Sequence, residues 1–199
     1  NNYPGSISFF EQRLCFSGVP SEPRKIYTSV SGSFFDFTVP GTLVADSPVT
    51  VRATDNEVNA IRWMYPRTTL MCGTSSGIGS LGSTTEAAIM TYANVKFNNT
   101  SADRAGTIVP KRGGSALICT DYYNKHITAI STDTTGEVSS ESLMLLAGHL
   151  VSNATIVDFA FQRIPNPILW CVTSDGRMLS LTFMPSQSIY AWTEHTTDG

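Results

Sequence analysis

The chain has 199 residues, 41% of them hydrophobic and 15% charged, with a formal net charge of −3 at pH 7. That length allows a sizeable core in one or two domains, and the acidic balance excludes a general nucleic-acid coat, which would be basic. A channel that nucleic acid merely passes through stays admissible, because tight phosphate contacts would hinder passage. No apolar run approaches the roughly 20 residues that a membrane-spanning helix needs. Asn1-Asn2-Tyr3-Pro4 has neither the basic start and apolar centre of a signal peptide nor an initiator methionine, so the chain reads as processed or excised from something longer. Gly, Ser and Thr abound and helix formers are nowhere concentrated, which favours many short strands joined by turns.

In chain order, the first expected unit has strands at Ile7–Phe10 and Arg13–Ser17, a break at Gly18-Val19-Pro20-Ser21-Glu22-Pro23, and a strand at Lys25–Ser29. Phe34-Phe35-Asp36-Phe37 then reads as an aromatic strand, expected in the core or between sheets, with a binding patch as the alternative. Val49–Ala53 is a further strand candidate. Asn59–Tyr65 opens the second unit, Pro66-Arg67-Thr68 is its turn, and Thr69–Cys72 follows. Gly73–Gly82 reads as a flexible glycine loop, and Glu86–Tyr92 as either a strand or a short helix. Asn94–Gly106 is polar. In the third unit, Lys111-Arg112-Gly113-Gly114 reads as a turn, Ser115–Thr120 and Ile127–Ser131 as strands, and Asp133–Ser140 as a loop. Glu141–Leu150 is the best helix candidate, with Leu143, Leu145, Leu146 and Leu150 expected to lie on the sheets.

The stretch Asp158–His195 is the clearest. Asp158–Gln162, Ile168–Thr173, Leu179–Phe183 and Ile189–Thr193 read as four antiparallel strands. Asp175-Gly176 supplies positive φ at both centres of a tight hairpin, and Pro185-Ser186-Gln187 marks the next turn. Four strands in about 40 residues match one blade of a β-propeller. The four cysteines, at 15, 72, 119 and 171, each follow apolar residues in a strand-like run, spaced 57, 47 and 52 residues apart. A repeat near 50 residues is in the range of propeller blades, and free cysteine behaves as a small buried hydrophobe. The expected fold is therefore all-β and propeller-like, one region over residues 1–199 of about four blades, with one short helix.

Few motifs suggest chemistry. Gly73-Thr74-Ser75-Ser76-Gly77 matches the nucleophile elbow of serine hydrolases, with Asp158 or Asp175 and then His195 in the required order. An elbow needs a strand-to-helix turn and a fold with long helices, which the chain lacks, so a hydrolase built on Ser75 is a remote alternative. Gly77-Ile78-Gly79-Ser80-Leu81-Gly82 matches a dinucleotide loop, but Asp103 sits in a polar segment rather than at a strand end. His126, His149 and His195 stand far apart, and no cysteine pair has zinc-site spacing, so no catalytic residue, metal or cofactor is expected. The cysteines cannot be paired into disulfides from sequence. Arg67, Lys111 and Arg112 are the candidates for phosphate or partner contact.

Several segments together resemble the tail nozzle, or tubular tail, proteins of short-tailed bacteriophages and prophages. They are Tyr3-Pro4 with Phe9-Phe10-Glu11-Gln12-Arg13-Leu14, Gly18–Pro23, Ser31–Phe37, Ile61-Arg62-Trp63 and Leu70–Thr74. Towards the C-terminal end they are Leu146–Leu150, Ile164–Trp170, Ser174-Asp175-Gly176, Leu181-Thr182-Phe183 and Ala191–His195. The resemblance implies a non-enzymatic propeller module of the virion tail, made in the bacterial host cytoplasm. It implies a hexameric ring below the portal, with neighbouring tail and portal-adapter proteins as partners and transient contact with packaged DNA. Members of that family are generally much longer, so the chain is expected to be about four blades of a larger propeller. The alternative is a propeller binding module that recognises a protein or cell-surface ligand through exposed aromatics and loops.

Overall fold

The computed structural model describes residues 2–53, 60–85, 88–101, 103–132 and 138–196. Among them the chain is all β, with four four-stranded antiparallel sheets. The first sheet holds β1 (Ser6–Phe10), β2 (Arg13–Val19), β3 (Glu22–Thr28) and β4 (Thr50–Arg52). The second holds β5 (Ile61–Pro66), β6 (Leu70–Thr74), β7 (Ile78–Ser83) and β8 (Val95–Ser101). The third holds β9 (Lys111–Gly113), β10 (Ala116–Thr120), β11 (Ile127–Thr132) and β12 (Val138–Ser142). The fourth holds β13 (Ile156–Gln162), β14 (Ile168–Thr173), β15 (Met178–Met184) and β16 (Ile189–His195). Every sheet is a meander of consecutive strands, the unit from which propeller blades are made. The first two sheets make one compact unit, Asn1–Ala105, and the other two a second, Gly106–Gly199.

The cysteines fall one per sheet, always on the second strand: Cys15 on β2, Cys72 on β6, Cys119 on β10 and Cys171 on β14. All four are buried free thiols. Because side chains alternate along a strand, the residues two before and two after each cysteine share its face. The preceding one is Leu70, Leu117 or Leu169 in three sheets and Arg13 in the first, and all four are buried. The following one is Thr74, Asp121, Thr173 or Ser17. Three of these close the next turn with their side chains. Thr74 Oγ1 donates to the Gly77 carbonyl at 2.8 Å, and Thr173 Oγ1 donates to the Arg177 carbonyl at 3.0 Å. Asp121 Oδ1 accepts from the Lys125 and His126 amides at 2.7 and 3.0 Å. The sequence thus repeats a short rule, an apolar anchor, a thiol and a turn-closing polar group, and the first sheet departs from it.

Each unit has its own core. In the first, Cys15 and Ile26 pack with Leu70, Cys72 and Leu81. In the second, Ile118 and Ile127 pack with Phe159, Leu169, Cys171 and Leu181. Burial pushes the thiols of Cys15 and Cys171 up to about 12 and raises Cys72 further, so none is a nucleophile at neutral pH.

Several expectations are corrected. Gly77–Gly82 is no loose loop, since β7 covers most of it. Its glycines make room for rings: a Cβ on Gly79 would lie 2.3 Å from Phe97 Cζ, and one on Gly73 would lie 2.1 Å from Trp63 Cε2. Lys111-Arg112-Gly113 is a strand, with the turn following at Gly114-Ser115. The largely polar segments 95–101 and 138–142 are the edge strands β8 and β12, laddered to β7 and β11, and β8 also buries Phe97 in the first unit's core with Val95 packed beside it. Phe34–Phe37 is not a strand but part of a long β3–β4 connection. No α-helix forms over Glu141–Leu150: β12 ends there, a turn follows, and Gly148–Val151 is a single 3-10 turn. Leu143 is buried, whereas Leu145 and Leu146 face solvent, the latter 93% exposed. At Asp175-Gly176 only Gly176 has positive φ. The turn closes through the Gly176 amide on the Thr173 carbonyl at 3.0 Å, inside a four-residue loop. Asn59, Glu86-Ala87 and 133–137 lie outside the described residues, and 88–92 form neither strand nor helix.

Candidate functional site

Two surfaces stand out, one in each unit. The first is aromatic and is built by β1, β2 and the long β3–β4 connection. On β1 and β2 the buried face carries Phe10, Arg13, Cys15 and Ser17, so alternation turns Ile7, Phe9, Leu14 and Phe16 outward. The connection lays Phe37 on Phe16 at 5.0 Å and Phe34 on Phe9 at 5.2 Å, both edge-on, and Phe16 stacks on Tyr27 at 5.0 Å. Much of the surface stays uncovered: Phe9 is 59% exposed and Phe35 is 95% exposed. The expected core placing of these phenylalanines is therefore corrected for Phe34 and Phe35. The connection brings them back over the outward face of β1 and β2.

Arg13 holds that connection in place. It is 1% exposed. Its Nη1 donates to the Ser29 and Ser47 carbonyls, both at 2.8 Å, and to the Asp46 carbonyl at 3.3 Å. Its Nη2 donates to the Ala45 carbonyl at 3.0 Å. Burial lowers its pKa, opposed by the charges of Asp46, Cys15 and Glu11. A planar guanidinium spreads five donors over a rigid fork and so bridges several carbonyls of an irregular segment at once, a reach that leucine lacks and that lysine's compact three-donor ammonium does not match. The preceding β1–β2 turn is Glu11-Gln12, with φ of 45° and 59°. Two-residue hairpins of this kind favour glycine or asparagine, and tertiary bonds hold this one instead. The Gln12 carbonyl accepts from the Gly32 amide at 2.9 Å, and Glu11 Oε2 accepts from the Met90 amide at 2.6 Å.

The second surface is a cleft of about 580 Å3 within the second unit. One side is the β9–β10 turn with Arg112 and Ser115. The other is the end of the fourth sheet, with Phe161, Arg163, Phe183 and Pro185. Phe161 and Phe183 meet edge to face at 6.3 Å. Sequence reading singled out Arg112 here but missed Arg163, because only the packing of the third sheet on the fourth brings both to one cleft.

The remaining sequence candidates separate. Arg67 lies in the β5–β6 turn of the first unit, half-buried, and Lys111 is a half-buried residue of β9 in the second. Ser75 sits in the tight β6–β7 hairpin, its Oγ accepting from the Ala60 amide at 3.2 Å. Strand follows strand there, so the strand-to-helix geometry of an elbow is not formed, and no helix follows the Gly77–Gly82 motif. Ser75 belongs to the first unit, and all three histidines belong to the second. His195 instead pairs with Ser180, Oγ to Nε2 at 2.7 Å, beside the Trp170 ring at 5.1 Å. Among the described residues no carboxylate bonds His195, and no helix is long and apolar enough to cross a membrane. No protein-family model matches the chain, and no curated protein matches it.

Proposed function

We propose that the chain is a structural module of the tail nozzle of a short-tailed bacteriophage, part of the wall of the channel through which the genome leaves. The observation that carries this reading is where the family-like segments fall. Phe9–Leu14 is the hairpin that ends in the buried Arg13, and Ser31–Phe37 belongs to the connection that Arg13 holds. Leu70–Thr74, Ile168–Trp170 and Ser174-Asp175-Gly176 fall on the cysteine-bearing strands and their turn. These family-like segments therefore lie at the joint made by Arg13 and on the cysteine-bearing strands. Four short antiparallel meanders, each of the kind that forms a propeller blade, suit a stiff wall with short protected edges. The net negative charge keeps that wall from gripping phosphates, and Arg67, Lys111 and Arg112 supply isolated contacts at most. The exposed aromatics Phe9, Phe34 and Phe35 give ring neighbours a surface to bury, as symmetric oligomers require. Such a module works mechanically and is not an enzyme.

The test is the mass of the native assembly, measured with and without longer flanking sequence, together with its presence in purified particles. A ring of six supports the nozzle. A strictly monomeric full-length protein that never enters a particle overturns it. The second reading, a propeller binding module, is favoured by the arginine-rimmed cleft, because a wall needs no such recess.

A further inference from the structure

We propose that the cleft of the second unit binds an acidic saccharide, a sugar ring bearing a carboxylate or a phosphate. Its volume, about 580 Å3, is in the range of small-molecule sites. The lining holds two guanidinium groups, Arg112 and Arg163, and no acidic side chain. In a chain of net charge −3, that local excess of positive charge selects an anion. Arg112 Nε donates to the Gly114 carbonyl at 3.0 Å, which anchors the side chain and leaves its terminal nitrogens for a ligand. Among the described residues neither arginine has a carboxylate partner. The arginine fork suits carboxylate and phosphate oxygens, which it takes through two parallel bonds.

The rest of the lining says what carries the anion. The half-buried Phe161 presents aromatic surface with the buried Phe183 behind it, and Pro167 and Pro185 add flat apolar walls. Gly113 permits this, since a Cβ there would lie 3.2 Å from the Phe161 ring and 2.6 Å from Ile118. These surfaces fit the apolar face of a pyranose, while the Ser186 hydroxyl fits its hydroxyl edge. A bare inorganic ion would leave Phe161 and the proline walls uncovered, and a purely apolar acid would leave the Ser186 hydroxyl unused.

The inference is independent of the nozzle reading: rings that bind no acidic sugar keep that reading and remove this one. The experiment is a titration of the full chain, followed by calorimetry and by amide chemical shifts. A glucuronate-containing hyaluronan tetrasaccharide forms the carboxylate arm and glucose 6-phosphate the phosphate arm. Maltotetraose, glucose and inorganic phosphate are the controls. At least one acidic sugar is expected to saturate the chain with shifts at Arg112, Ser115, Phe161 and Ser186. Each control should bind about tenfold more weakly or worse. The double variant Arg112→Ala, Arg163→Ala should lose about tenfold in affinity, and the double lysine variant should recover only part of it. Both arginines are exposed, so an unchanged melting temperature certifies the fold of each variant. Neither acidic sugar binding at about 1 mM, neutral sugar or inorganic phosphate binding equally well, or an unaffected alanine variant would each overturn the proposal.

Discussion

The first and fourth sheets have the same strand order but close in different ways. In the fourth, β14 runs Leu169-Trp170-Cys171-Val172-Thr173, its buried side is apolar, and Thr173 closes the next turn. Short turns join all its strands. In the first, β2 runs Arg13-Leu14-Cys15-Phe16-Ser17. A buried cation replaces the leucine, and Ser17 Oγ is buried without a hydrogen-bond partner. Its last strand, β4, arrives only after a connection of some twenty residues, which Arg13 bonds at residues 45–47. A sheet that closes through local turns can afford an all-apolar anchor. A sheet whose edge is fetched from afar needs a polar group that reaches the irregular backbone, since buried carbonyls without partners are costly.

The largest expected effect is at the apolar anchor. Leu169→Ala should lower stability by about 3–4 kcal/mol in urea unfolding, the sum of transfer and cavity costs at a fully buried leucine. Arg13→Leu, which writes the common pattern into the first sheet, should cost about 2–3 kcal/mol by stranding its carbonyls. It should also open residues 30–49 to limited proteolysis. A neutral or stabilising Arg13→Leu would break the comparison and leave the arginine without a structural purpose.

The thiols give a shared test. Cys15 and Cys171 have folded values of about 12 against an ordinary 9.0. The unfolded chain therefore releases these protons first as pH rises. The stabilisation is fully present below pH 9.0 and is lost progressively towards about 12. Each thiol should cost about 1.4 kcal/mol at pH 10, and Cys171→Ala should flatten that alkaline limb relative to its own value at neutral pH.

Turn closure should show the contrast on a smaller scale. Thr74→Val and Thr173→Val each remove a side-chain closure and should cost about 1 kcal/mol, whereas Ser17→Ala should be neutral or stabilising because its hydroxyl has no partner. In the same fourth-sheet turn, hydrogen bonds from Thr173 and Arg177 hold the Asp175 carboxyl below its usual value. Its contribution is present above the ordinary carboxylate value and fades as pH falls through the depressed one, so Asp175→Asn should flatten the acid limb of a melting-temperature profile. Smallest in stability is Phe35→Ser, within about 0.5 kcal/mol because the ring is exposed. If the aromatic surface is a ring contact, that variant should lower the mass of the assembly while its melting temperature holds.

Strands whose signal is local can be read directly along the chain. Ile168–Thr173 was legible to the residue, as apolar residues bounded by turn formers, and the four cysteine segments marked one strand in each sheet. The rest depends on contacts between segments distant along the chain. β12 is a polar segment made a strand by its ladder to β11, β8 adds to its ladder only the burial of Phe97 and Val95 against distant neighbours, and the Glu11-Gln12 turn borrows its stability from the Gly32 and Met90 amides. Nothing along the chain marks Arg13 for burial, which comes only when the connection closes over it, and Leu145-Leu146, expected on the sheets, face solvent because no helix forms. Arg112 and Arg163 share a cleft only because the third sheet packs on the fourth. Turn chemistry and period-two alternation act between residues adjacent along the chain, so they can be read there; burial of a charge and convergence of two arginines depend on residues far apart along it.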